Sequence, residues 1–240
     1  MIAITINKKA NGGRIMRPSF GVKVTTPPIP VDKLKNEMLW AAQKGYGDKS
    51  NGDLSKFPDM QAIQVRNSSK DVNHLNTFSF EISKAKKRIF IIDAYFFNPD
   101  KDKEPKQSRL DKIKNWFYND SMDARDIRIL TSCNNKDSII NDDINKQFDE
   151  LAEMINVDRT ASNKCQINIQ FTLLTHFNYI HDRFAVIDDE LWHFGATVGG
   201  FHSQVSAVTR GWDAEKHGAI EFFELAWQGD TIIGKKNNDN

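Results

Sequence analysis

The clearest periodicity in the chain lies in "DSIINDDINKQFDELAEMI" (137–155), where Ile140, Ile144, Phe148, Leu151 and Ile155 recur every three or four residues. That spacing predicts an amphipathic helix with one apolar stripe. Two other stretches read the same way. "NTFSFEISKAKKR" places Phe78, Ile82 and Ala85 on one face, and "SRLDKIKNWFY" does so with Leu110, Ile113, Trp116 and Phe117, its start marked by Ser108 and Asp111 as a capping pair. Strand signals separate and follow them. "IFIIDAYFF" is a continuous apolar run of the kind a strand buried on both faces presents. "DIRILTS" is a second strand, "INIQFTLL" alternates Ile167, Ile169, Phe171 and Leu173 with polar residues, and "HDRFAVID", "ELWHFGA" and "AIEFFELAW" complete the series. Strand, helix, strand, helix and then several strands predict an α/β sandwich with a mixed sheet flanked by helices.

The first seventy or so residues differ from this pattern. "NGG", "TTPPIP", "GYGDKSNGD" and "NSSKD" punctuate them, with short apolar stretches between. They predict an N-terminal extension over 1–72 of short strands, loops and one helix near "VDKLKNEMLWAAQ", ahead of a main domain over 73–233. An arm of this kind either packs on a partner subunit or hangs free. The polar tail 234–240, "GKKNNDN", is expected to be disordered.

A chain of 240 residues can bury a sizeable core, and its 33 basic and 32 acidic side chains leave a net charge of +1. No global field draws the protein to nucleic acid or to an acidic membrane, so any phosphate binding must be local. Cys133 and Cys165 fit no metal-ligand spacing and read as reduced packing thiols; no metal or cofactor is expected. The polar start and the lack of any run of about 18 apolar residues predict a soluble, cytoplasmic protein with no membrane partner.

The candidate chemistry lies in "YIHDRFAVIDDELWHFGATVGG", residues 179–200. If "RFAVI" is a strand, His181 and Arg183 project on one side, with Ala185 and Ile187 behind them. An imidazole beside a guanidinium suits phosphoryl chemistry: the first can attack or protonate a phosphodiester while the second forks onto its oxygens. Asp188 and Asp189 fall where the strand must turn, as orienting carboxylates or as plain turn residues. Gly195, Gly199 and Gly200 read either as a backbone cradle for an anion or as turns. "FHSQVSAVTRGW" offers His202, Ser203, Gln204, Arg210 and Trp212 as cleft residues, the alternative for Arg210 and Trp212 being packing of that loop onto the sheet. Asp93 reads as a buried, hydrogen-bonded carboxylate near the same cleft or as the last residue of a strand.

The joint spacing of His181, Arg183, Asp188 and Gly195 resembles the H-x-K-x4-D-x6-G-S-x-x-N signature of the phospholipase D superfamily, and "FEISKAKKRIFIIDAYFF" is similar to the first helix and strand of such a domain. The resemblance spans residues 73–227. It departs from the signature at Arg183 in place of lysine, Ala196 in place of serine and Gly199 in place of asparagine, so Thr197, Ser203 or Gln204 is expected to supply a substitute hydroxyl or amide. It implies a phospholipase D-like α/β sandwich and a metal-independent phosphodiesterase, foremost a nuclease acting on nucleic acid, with bacterial defence as a setting by analogy. In that chemistry one histidine attacks phosphorus and a second protonates the leaving oxygen. With one motif per chain, the resemblance implies a homodimer with His181 in both roles, Arg183 neutralising the phosphate, Asp188 supporting the histidine, and Gly195, Thr197, Ser203, Gln204, Arg210 and Trp212 binding substrate. The substituted positions imply the alternative, a non-catalytic module that binds phosphate groups or a protein partner within a larger assembly.

Overall fold

The run "IFII" is buried on both faces because helices cover both sides of the strand that contains it. In the computed structural model, which describes residues 34–40, 54–68, 74–97, 106–118, 122–132, 138–173, 180–202 and 204–229, that strand is β2, Arg88–Ile92. Phe90 and Ile92 turn to one side, where Leu130, Phe184, Val186 and Phe223 join them in one core cluster. Ile89 and Ile91 turn to the other and meet Ile127, Ile129, Ala185, Phe78, Ile113 and Trp116 in a second. Strand alternation thus produces a three-layer sandwich, helix on sheet on helix.

The elements in chain order are β1 (Glu37–Trp40), α1 (Met60–Ser68), α2 (Asn76–Lys84), β2, α3 (Lys106–Phe117), β3 (Asp126–Leu130), α4 (Ser138–Ala161), β4 (Ile167–Gln170), β5 (Arg183–Ile187), β6 (Glu190–Phe194), β7 (Ala207–Asp213) and α5 (Ala219–Gln228). The sheet has seven strands in the order β1-β7-β6-β5-β2-β3-β4. β2, β3 and β4 are parallel, joined by crossovers that carry α3 and α4, and every other pairing is antiparallel. This is the mixed α/β sheet that the periodicity predicts.

Three local expectations are corrected. Within the stretch read as an extension, "EMLW" was expected in a helix but forms the edge strand β1, paired to β7 with Leu39 opposite Val208. Gly211, at φ +93, allows that approach, since a Cβ there would collide with the Lys35 carbonyl. "AIEFFELAW" is a helix, α5, in which Ala219, Phe223 and Ala226 form the buried stripe and Phe223 stacks on Phe90 at 4.3 Å. α3 runs from Lys106, which puts Ser108 within its first turn and not ahead of it. The "NGG" and "TTPPIP" segments and the tail 234–240 lie outside the described residues. Among the described residues no helix is long and apolar enough to cross a membrane.

The topology fixes where chemistry can gather. The carboxyl ends of the parallel strands open on one edge of the sheet, and β5, antiparallel to β2, begins there with Arg183 beyond the Ile92–Phe184 pair. β6 ends there too, Phe194 facing Arg183. Crevices outside the carboxyl ends of parallel strands are where α/β folds bind ligands.

Candidate functional site

Arg183 projects to the Ala185 side of β5 and runs past the end of β2. Its Nε lies 3.7 Å from Asp93 Oδ1, and its guanidinium sits 4.8 Å over the Tyr95 ring. A quarter of the side chain, 26%, stays exposed at the edge. Asp93 is fully buried and accepts hydrogen bonds from the Tyr95 N–H on Oδ1 and the Val198 N–H on Oδ2, each at 2.8 Å. One carboxylate therefore joins the end of β2, the head of β5 and the loop after β6. Burial pushes its pKa up to about 6, opposed by the two backbone N–H donors and then by Arg183 and Arg109. Asp93 remains mainly ionised at neutral pH.

Two buried arginines hold the loop beyond. Arg109 donates to the carbonyls of Phe201 (2.5 Å) and Phe96 (3.3 Å) and lies 4.7 Å over the Phe201 ring. Arg66, from α1, donates to the carbonyl of His202. His202 is 9% exposed and its Nε2 lies 3.1 Å from Ser206 Oγ. Burial first, then the charge of Arg66, lowers its pKa to about 4, so the ring is neutral at physiological pH. Arg183 and Arg109 both act electrostatically on Asp93, while Arg66 acts on His202.

Two of the three glycine N–H groups are engaged within this segment. Gly195 N–H donates to Ala207 O at 3.0 Å, and Gly200 N–H donates to Thr197 O at 2.9 Å. Gly199, where the phospholipase D signature has asparagine, adopts φ +84, and a Cβ there would overlap the Trp116 ring. Thr197 is buried beside them, Gln204 is exposed, and Ser203 lies outside the described residues.

His181 precedes β5, so strand alternation does not align it with Arg183 as expected. It is exposed and borders an open cleft of about 780 Å³ on the Phe184 side of the sheet, together with Leu191, His193, His217 and Phe222. No hydrogen bond or ion pair joins His181 to Arg183 among the described residues.

Three predicted site residues lie farther along the strands, Asp188 at their opposite end. Asp188, at φ +54, accepts the N–H groups of Lys86 (3.0 Å), Lys87 (2.7 Å) and Arg88 (3.2 Å), pinning the β5–β6 turn to the start of β2. Five residues of strand, at about 3.3 Å each, separate it from Arg183 by roughly 16 Å, so it does not orient His181. Arg210 is engaged by Glu190 (2.8 and 3.1 Å) and Glu81 (3.4 Å) while it lies 4.2 Å over the Trp192 ring. Trp212 pairs with Leu191 beside it. Arg210 is thereby tied to Glu190 on β6 and Glu81 on α2. Arg66 and Arg109 escaped sequence reading, although Arg109 sits next to Leu110 on the buried side of its helix, where a charge needs a partner.

No protein-family model and no curated protein matches the chain. Among solved structures it is similar to TrmBL2, described as an archaeal chromatin protein with a novel mode of DNA binding, at 12% identity and TM-score 0.35, over 64% of this chain and 48% of that one. It is also similar to the phosphatidylserine synthase of Haemophilus influenzae Rd KW20, at 15% identity and TM-score 0.37, over 62% of this chain and 33% of that one. The chain thus spans about half the length of the first protein and a third of the second.

Proposed function

We propose that the chain is a metal-independent phosphodiesterase of the phospholipase D-like type, a nuclease that uses His181 as its reacting group and works as a homodimer. The observation that carries this reading is Arg183. A partly exposed guanidinium, held by a fully buried carboxylate and a tyrosine ring at the carboxyl edge of parallel strands, is a ready partner for phosphate oxygens. Two residues away, His181 is open to solvent.

In this reaction a ring nitrogen of His181 attacks phosphorus, a P–N bond forms as the ester P–O bond breaks, and the leaving oxygen takes a proton from the imidazolium of the partner subunit's His181. Water then attacks the phosphohistidine, the second imidazole accepts its proton, and the P–N bond breaks. Arg183 neutralises charge on the non-bridging oxygens throughout. With one such motif per chain, the second imidazole of this scheme comes from a second copy.

A second reading is a non-catalytic module that binds phosphate groups, alone or as part of a larger assembly. It is favoured by the commitment of the Gly195 N–H to Ala207, which removes a donor that a transition-state oxyanion would use.

Hydrolysis of an aryl phosphodiester and of single- and double-stranded DNA in excess EDTA separates the two. Turnover that survives the chelator and falls by roughly 100-fold or more in His181→Ala supports the enzyme. A silent wild type that still binds DNA through Arg183 supports the module, and activity retained in His181→Ala overturns the first reading.

A further inference from the structure

The cleft beside His181 is larger than a phosphate needs. Its volume of about 780 Å³ falls within the range of small-molecule sites, roughly 300–1,000 Å³, and it lies on the sheet face opposite to Arg183. Its floor is apolar and aromatic: Phe184 and Phe222 stand with ring centroids 5.8 Å apart, and Leu191 lies beside them. Phe222 is 40% exposed, whereas its neighbour Phe223 is fully buried. The rim carries three imidazoles, His181, His193 and His217, against a single carboxylate, Asp182, which lies 3.5 Å from His193 Nε2. Imidazoles donate and accept hydrogen bonds and present a ring face, which suits the polar edge of a heteroaromatic ligand.

We infer that this cleft is a nucleobase subsite, in which Phe222 stacks on the base and the histidine rim meets its polar edge. The inference rests on the proposed phosphodiester chemistry, because His181 and Phe184 line the same cleft and a phosphate at His181 would lie beside it. It goes further by making one side of the cut site read a base, which an aryl or alkyl ester could satisfy only in part. Base–aromatic stacking tolerates every base because each has a π-face. The subsite therefore confers a preference for nucleic acid over simple phosphodiesters, and no base sequence.

The test uses the full chain and binding as its readout, so that turnover is not needed. A trinucleotide with 2-aminopurine at its centre is compared with the same trinucleotide carrying an abasic spacer, against wild type, Phe222→Ala, Phe222→Trp and Arg183→Ala. The expected result is quenched 2-aminopurine fluorescence, binding about tenfold tighter than that of the abasic probe, loss of that advantage in Phe222→Ala and its retention in Phe222→Trp. Equal affinity for the two probes, with both dependent on Arg183, overturns the subsite and leaves the phosphate reading intact. Binding of neither probe overturns both together. A base advantage indifferent to Phe222→Ala places the base elsewhere and overturns the inference as stated.

Discussion

Asp93 and His202 are buried within reach of the same arginines, and their protonation acts on stability in opposite directions. The Asp93 carboxyl is raised from 3.8 to about 6, so the stability it contributes is fully present below 3.8 and is lost as pH rises through about 6. The His202 imidazole is lowered from 6.5 to about 4, so its contribution is present above 6.5 and is lost as pH falls through about 4. Each shift corresponds to about 3 kcal/mol at most. The two largely offset one another between pH 4 and 6.5, and removal of one exposes the other. Relative to wild type, Asp93→Asn is expected to gain stability as pH rises across that window, and His202→Gln to lose it. Denaturant unfolding at pH 4.5 and 6.5 checks both, and parallel curves for variant and wild type would sink the assignment. Sequence reading reached Asp93 because a carboxylate that ends an apolar strand is conspicuous. Arg66 and Arg109 carry no such signal, since the loop carbonyls of His202 and Phe201 that they hold lie 136 and 92 residues away.

Gly199 is a further case in which one atom matters. At φ +84 and packed against the Trp116 ring, it tolerates no side chain. Gly199→Ala is expected to cost about 2–4 kcal/mol, from left-handed backbone strain plus overpacking. A denaturation midpoint read through tryptophan fluorescence measures the loss.

At the scale of elements, legibility follows how locally burial is decided. α2, α3, α4 and β2 were readable because each carries its own stripe or apolar run. β1 and α5 were not. "EMLW" becomes a strand only because β7, some 170 residues later, offers an edge and a glycine for close approach. The adjacent phenylalanines of "AIEFFELAW" suit a strand until one of them, Phe223, finds Phe90 across the layer. The same distinction decides Asp188. Its spacing from His181 matches a catalytic signature, but five residues of extended chain carry it to the far edge, where it anchors the β5–β6 turn to β2. Asp188→Ala is expected to lose about 1–2 kcal/mol through its unpaired N–H partners and to leave phosphodiester turnover per folded molecule within about twofold. Asp188→Asn, which keeps one acceptor and tolerates the positive φ, should lose less. A large fall in turnover with unchanged stability would return Asp188 to the catalytic set.

For the whole molecule, a single His181 per chain makes assembly and catalysis one question. If two copies of His181 must meet at each site, a dimer of one wild-type and one His181→Ala chain holds a single imidazole and cannot complete the cycle. Activity then follows the square of the wild-type fraction, because only dimers with two wild-type chains work. After subunit exchange, an equal mixture should retain about one quarter of the activity of the same amount of wild type, whereas independent one-chain sites would retain about half. Titration of His181→Ala into a fixed total of protein, with an aryl phosphodiester in EDTA, distinguishes a parabola from a line. Arg183→Ala gives a second curve. In the proposed mechanism each subunit's guanidinium would neutralise charge at a shared phosphate, so its mixture with wild type should also fall below the line, but less steeply, since the surviving Arg183 would still stabilise part of the transition-state charge. A straight line for His181→Ala, with turnover independent of protein concentration, would assign the whole reaction to one chain and require a second proton-transfer group within it.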